Sequence, residues 1–214
     1  MEALSKHQQN SKATRERLID AAEQLFGSRS IDAVSISEIT AAAGQKNRNA
    51  LQYHFKNRTG LLQAIVEKHS KQVAVLRQSY FERATAGEWP AAEAAARCFV
   101  MPIVDYVKAN PAAVNFVKII SQLSALNQIQ DNGNNALGIE FPAIPALRSL
   151  LESAMGHLGR KERQQRIYLS VSITFHGIAD IYRQQEHRGG RLDRSMFEQL
   201  VCVLASFLAA ESRL

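Results

Sequence analysis

Between Gln45 and Gly60 the chain carries four basic residues, Lys46, Arg48, Lys56 and Arg58, and no acid. The other six basic residues of positions 1–70 face seven acids, so this positive field is local. Interleaved with it are Asn47, Asn49 and Gln52, whose amides match the donor and acceptor on an adenine edge; Lys46 and Arg48 suit guanine or phosphate. Just upstream, Ser35 and Ser37 stand at a helix start, where hydroxyls and unpaired N–H groups suit phosphate oxygens. A charge cluster alone is commonly a solvated surface, but one seated among base-reading amides points to nucleic acid. No nucleophile elbow, glycine-rich phosphate loop, His-Glu-x-x-His or cysteine–histidine metal spacing is present. An enzyme is therefore the minor reading, with no cofactor and no metal expected.

The elements that must position these residues read as helices throughout, so the expected fold is all-α. Over 14–26, Leu18, Ala21, Ala22, Leu25 and Phe26 make one apolar stripe, and Gly27 is expected to end the helix. Ser35 followed by Glu38 is a capping box, Ile36, Ile39 and Ala43 form the inward face, and Gly44 closes the helix. A short third helix is expected over 46–55. Asn57 caps a long fourth one to about residue 84, with Leu61, Leu62, Ile65, Val66, Val73 and Leu76 on its apolar side. The spacing predicts further helices over 91–109, from Pro111 to about residue 130, over 142–157, 161–187 and 196–212, the last capped by Asp193. Pro102 must kink or break the first of these. Residues 131–135 read as a loop, and Gly189-Gly190 as a stop.

Two short helices joined by a glycine-containing turn form a helix-turn-helix, whose second helix offers side chains to the major groove. Arg17, Ala21-Ala22, Leu25-Phe26, Ser35, Ile39, Ala43-Gly44, Leu51, His54-Phe55 and Leu61-Leu62 together resemble the N-terminal pattern of the TetR/AcrR family over about residues 14–66. The interval from Gly44 to Phe55 is one residue longer than the common pattern, with the extra residue somewhere in 47–49. The family's phosphate-contacting tyrosine falls on Gln52, with Tyr53 beside it, and both remain candidates. His54 resembles the family's phosphate-contacting histidine, and Arg58 its basic residue at the start of the fourth helix, although Thr59 replaces the usual acid.

The resemblance implies a three-helix helix-turn-helix domain at 1–57, a connecting helix at 58–84, and a larger helical ligand-binding and dimerisation domain at 85–214. It implies a homodimeric repressor that binds a near-palindromic double-stranded operator and is released by a small, mostly apolar effector; the alternative is a constitutive DNA-binding regulator. The helices over 161–187 and 196–212 are apolar over much of their circumference, as dimer helices would be, with Leu200, Val203, Leu204 and Phe207 as candidate contacts. Candidate ligand-lining residues are Phe81, Trp89, Phe99, Met101, Tyr106, Phe116, Met155, His157, Phe175 and His176. His176 and Asp180, at i and i+4, read as a polar interface pair more readily than as metal ligands.

The formal charge of +6 over 214 residues fits an anionic partner. No apolar run approaches the ~18 residues that span a bilayer, and 1–12 is polar, so no membrane association and a cytoplasmic location are expected. Cys98 and Cys202 both sit among apolar residues and are expected as buried thiols.

Overall fold

The computed structural model describes residues 6–47, 49–126, 138–140, 144–188 and 193–212. Its regular elements are all helical: α1 (Lys6–Ser28), α2 (Ile36–Ala42), α3 (Ala50–Phe55), α4 (Arg58–Thr85), α5 (Ala91–Ala109), α6 (Val114–Leu126), α7 (Pro145–Ala154), α8 (Arg160–Arg188) and α9 (Arg194–Ala209). Two 3-10 turns, Ile31–Ala33 and Pro111–Ala113, precede α2 and α6. The expected loop at 131–135, the start at Pro142 and the stop at Gly189-Gly190 lie outside the described residues.

The apolar stripe of α1 meets α2, α3 and the first turns of α4 around Leu18, Phe26, Ile39, Leu51, Leu61 and Ile65, all fully buried. Each such side chain contributes about 1.5–3 kcal/mol by leaving water. Farther along, α4 runs along α5, α5 packs on α7 and α9, and α6 lies between α1 and α8. Met101, Ile103, Ile119, Ile120, Leu123 and Phe197 fill that second region. Among the described residues no helix is long and apolar enough to cross a membrane.

Several helix boundaries differ from the sequence expectation, and three of them bear on the fold. Gly27 does not end α1. It lies inside the helix where Asn115 of α6 comes so close that a Cβ would sit 2.4 Å from the Asn115 side-chain oxygen. Nor does Pro102 break α5, which runs on to Ala109. Proline cannot donate to the carbonyl four residues back, that of Cys98; Arg77 Nε of α4 donates to it instead, at 2.9 Å. The third is α3, which starts at Ala50 rather than at residue 46.

Two bridges tie α1 to the later helices. Gln122 of α6 donates from Nε2 to the Phe26 carbonyl at 2.8 Å, and its Oε1 accepts the Ile31 N–H at 2.9 Å. In the other, Glu23 of α1 accepts from His69 Nε2 at 2.7 Å and from Lys68 Nζ at 3.0 Å. His69 Nδ1 meets the Tyr106 hydroxyl of α5 at 2.8 Å, and its ring stacks on Phe116 of α6 at 4.5 Å. Burial alone would lower the Lys68 ammonium, but its bonds to Asp20 and Glu23 outweigh that and hold it above the usual lysine value.

The expected ligand-lining residues fall into separate groups. Tyr106 and Phe116 belong to the His69 cluster, so the Tyr106 hydroxyl is already engaged. Phe99 meets Phe175 edge-on at 6.3 Å, and Met101 and Met155 are buried. Trp89 lies half-buried beneath Arg83 and Arg97, 4.3 and 5.4 Å from its ring centre. Phe81 is half-buried against the core, His176 is half-buried on α8, and Asp180 pairs with Arg183. His157 is exposed and hydrogen-bonds the Ala210 carbonyl at 3.0 Å, far from an interior role.

The dimer candidates also divide. The inward stripe of α9 is Phe197, Val201, Leu204 and Leu208, all buried, so Leu204 serves this chain's own core. Leu200 is half-buried where α9 crosses Gly177, at which a Cβ would come within 2.7 Å of it. Phe207 is half-buried beneath Arg166, 5.5 Å from its ring centre, while Val203 points outward at 56% exposure. Cys202 shares that outward side and is exposed, correcting the expectation of a buried thiol; one residue past Val201 is about 100° around the helix. Cys98 is buried, and burial pushes its thiol up to about 11.

Candidate DNA interface

The helix-turn-helix is built by local chemistry. Ser35 Oγ accepts the Glu38 N–H at 3.2 Å, and Glu38 Oε2 accepts the Ser35 N–H at 2.8 Å, closing the capping box. Arg29 adds a bond to Glu38 at 2.9 Å. The Ser35 N–H first, then Arg29, hold the Glu38 carboxyl down to about 2. A depressed carboxyl contributes stability that is complete above its unfolded value of 4.5 and lost as pH falls towards 2. The melting temperature of wild type should therefore exceed that of Glu38→Gln by a constant margin above pH 4.5, and the margin should close on acidification. A margin independent of pH would rule out this cap as its source.

Gly44 ends α2 at φ 66°. The Gln45 N–H reaches the Thr40 carbonyl at 3.0 Å and the Gly44 N–H the Ala41 carbonyl at 2.9 Å, a Schellman closure that needs this left-handed residue. A turn organised by Asn47 follows. Asn47 Oδ1 accepts the Asn49 N–H at 2.9 Å, and the Ala50 N–H bonds to the Asn47 carbonyl at 3.1 Å. Lys46 and Asn47 thus precede α3 rather than open it, and Asn49 is its N-cap position.

Lys46, Asn47, Asn49, Gln52 and Lys56 are exposed, with Ser35 and Ser37 exposed at the start of α2. Tyr53 is 77% exposed, the most exposed large apolar side chain described. Ala50, Leu51 and Phe55 form the buried side of α3, so Gln52 and Tyr53 share its outward side. Arg48 lies outside the described residues. His54 is half-buried with its ring 5.0 Å from that of Tyr53. Burial first, and then Arg15, push its pKa below the ordinary histidine value, so near neutral pH it is an uncharged N–H donor rather than a cation.

Lys56 stands at φ 65°, ψ −49°, the centre of a γ-turn in which the Asn57 N–H bonds to the Phe55 carbonyl at 2.7 Å. That conformation is rare and strained for a residue with a Cβ. It turns the chain from α3 into α4, where Asn57 Oδ1 caps by accepting the Gly60 N–H at 2.9 Å. Position 60 admits only glycine, since a Cβ would lie 2.0 Å from the Phe55 carbonyl oxygen. Arg58 departs from its expected role. Its guanidinium donates to the Ile31 carbonyl and, at 2.6 Å, to the Val34 carbonyl, so it braces the turn before α2.

Sequence reasoning missed the residues beneath this surface. Arg15 stands 5.1 Å over the Phe55 ring, and Asn10, Ser11 and Thr14 of α1 form a shallow notch with Tyr53 and His54. α1 begins eight residues earlier than the apolar stripe suggested, because 6–12 are polar and leave no hydrophobic periodicity to detect.

Residues 18–65 match the family model described as bacterial regulatory proteins, tetR family. The HTH-type transcriptional regulator AcrR of Shigella flexneri is 32% identical over 75 residues, 35% of this chain and 34% of that protein. The chain thus spans about a third of the length of the curated relative it matches. The crystal structure of a gamma-butyrolactone receptor, described as an ArpA-like protein, superposes with a TM-score of 0.50 at 18% identity, covering 94% of this chain and 98% of that one. That likeness extends the shared helical fold beyond the first four helices. With a capped α2, a glycine turn and an outward-facing α3 over the matched residues, the N-terminal part of the chain is similar to the tetR family of bacterial regulatory proteins and forms a helix-turn-helix there.

Proposed function

We propose that this chain is a ligand-responsive transcriptional repressor that binds a near-palindromic operator as a homodimer, with no catalytic activity. Residues 1–57 form the reading head, 58–84 the connecting helix, and 85–214 the sensing and dimerising body. The observation that carries the reading is α4. One 28-residue helix starts at the γ-turn behind α3 and ends against α5, so a displacement among the later helices moves the reading helix. Lys46, Asn47 and Arg48 read base edges, with Asn49 or Gln52 as further readers. Ser35, Ser37, Tyr53, His54 and Lys56 hold phosphates. An effector needs only to prefer the non-binding arrangement: a ~100-fold preference supplies about 2.7 kcal/mol per site. The gamma-butyrolactone receptor of similar fold supports a sensing body.

The dimer surface is assigned to the outward sides of α8 and α9, where Leu169 and Val203 are 44% and 56% exposed. The test is selection of DNA from a random pool by purified protein, with light scattering. A two-fold symmetric site bound by two chains is expected. Leu169→Glu with Val203→Glu should give folded monomers whose operator affinity falls at least about tenfold, because each half-site then binds alone. An asymmetric selected site bound by one chain would overturn the dimer and its operator symmetry together.

A further inference from the structure

Arg77 is 5% exposed at the centre of the helical body, and no carboxylate among the described residues pairs with it. Its one hydrogen bond described, from Nε to the Cys98 carbonyl, serves the acceptor that Pro102 leaves bare. A neutral amide could do that. Arginine instead brings a full charge and four further N–H donors into the interior, an arrangement strongly disfavoured unless an anion meets it. Burial accordingly drives this guanidinium down to about 10.

Two hydroxyls of α8 are also buried without partners. The Thr174 hydroxyl of α8 is wholly buried, next in sequence to Phe175, which packs on Phe99 beside Cys98. The Tyr182 hydroxyl, two turns farther along α8, also lacks a partner. It senses Asp105, whose carboxylate accepts the Tyr80 hydroxyl one turn beyond Arg77. The guanidinium can only donate and each hydroxyl can donate as well as accept, so an acceptor suits all three. Phe99 and Met101 of α5 belong to the apolar core, and Phe175 of α8 packs against it.

We propose that Arg77 anchors a carboxylate-bearing effector with an apolar body, held among α4, α5 and α8. This rests on the effector-responsive reading above and names the ligand's chemical class. The guanidinium would take both carboxylate oxygens in the bidentate geometry that suits it, leaving Nε on Cys98. Met101, one turn from Cys98, is the flexible side chain that can give way to the apolar body.

The test uses the full chain and Arg77→Gln, whose amide can still donate to the Cys98 carbonyl. Octanoate, decanoate, benzoate and phenylacetate, each against its primary amide, are titrated by thermal shift and by operator release. At least one carboxylate should raise the melting temperature saturably below about 1 mM, its amide binding at least about tenfold more weakly. Arg77→Gln should lose that preference while its unliganded stability equals or exceeds that of wild type, since an unpaired buried charge has gone. A purely structural arginine would instead leave the variant less stable. Equal binding of acid and amide, unchanged acid binding in Arg77→Gln, or no response to any of the acids overturns the proposal. If neutral apolar compounds in a parallel screen still release operator, the effector reading survives without it. If none does, both fall.

Discussion

Replacing Lys46, Gln52 and Tyr53 together with alanine is expected to lower operator affinity by roughly 10²- to 10⁴-fold, about 3–6 kcal/mol. All three side chains are exposed, Tyr53 at 77%, so the fold should barely register their loss; surface changes of this kind stay within about 0.5 kcal/mol each. Removing the Lys46 charge should also flatten the dependence of affinity on salt, since one fewer counterion is released. Arg58→Ala supplies the contrast. Its guanidinium bonds two backbone carbonyls rather than facing solvent, so the variant should lose about 1.5–3 kcal/mol of stability, with affinity declining only as the head loosens. Fluorescence anisotropy with a selected operator, beside thermal melts, separates the two. A triple variant that bound as tightly as wild type would remove α3 and its preceding turn from recognition.

Much of this architecture was legible because local rules act alone on it. The capping box at Ser35 and Glu38, the Asn57 and Asp193 caps and the Gly44 turn follow from short-range hydrogen bonding, and all form as their residue types require. What was illegible depends on partners distant in sequence. Gly27 reads as a stop until Asn115 is seen against it, and Pro102 reads as a break until Arg77 of another helix takes the Cys98 carbonyl. Arg58 looks like a phosphate ligand because charge in sequence carries no direction; the carbonyls of Ile31 and Val34 supply it. Leu204 and Val203 are equally apolar in sequence, and only the position of the 197–201–204–208 stripe separates core from surface. Glu23 and His69 went unnoticed for the same reason: 46 residues separate them, and neither belongs to a motif.

That pair underlies the second large effect. Glu23 of α1 is 7% exposed and accepts from His69, itself 3% exposed, and from Lys68, so its carboxylate joins the helix-turn-helix to α4 and, through His69, to α5. Glu23→Ala leaves the His69 Nε2–H without its acceptor inside the protein. Losing one partner of a fully buried pair costs about 3–5 kcal/mol; Lys68 is 41% exposed and keeps Asp20, which reduces the expected loss to about 2–4 kcal/mol. For a chain of this size that is a fall of roughly 5–15 °C in melting temperature. Glu23→Gln keeps an oxygen for His69 and gives up only the ionic half, so it should lie between the two. The double variant Glu23→Leu with His69→Phe should recover part of the loss, because filling the site with apolar volume removes both unsatisfied groups at once. Melts of the four proteins decide it. Equal melting temperatures for wild type and Glu23→Ala would show that the bond chain from α1 to α5 does not hold these helices together, and that the packing of His69 on Phe116 suffices.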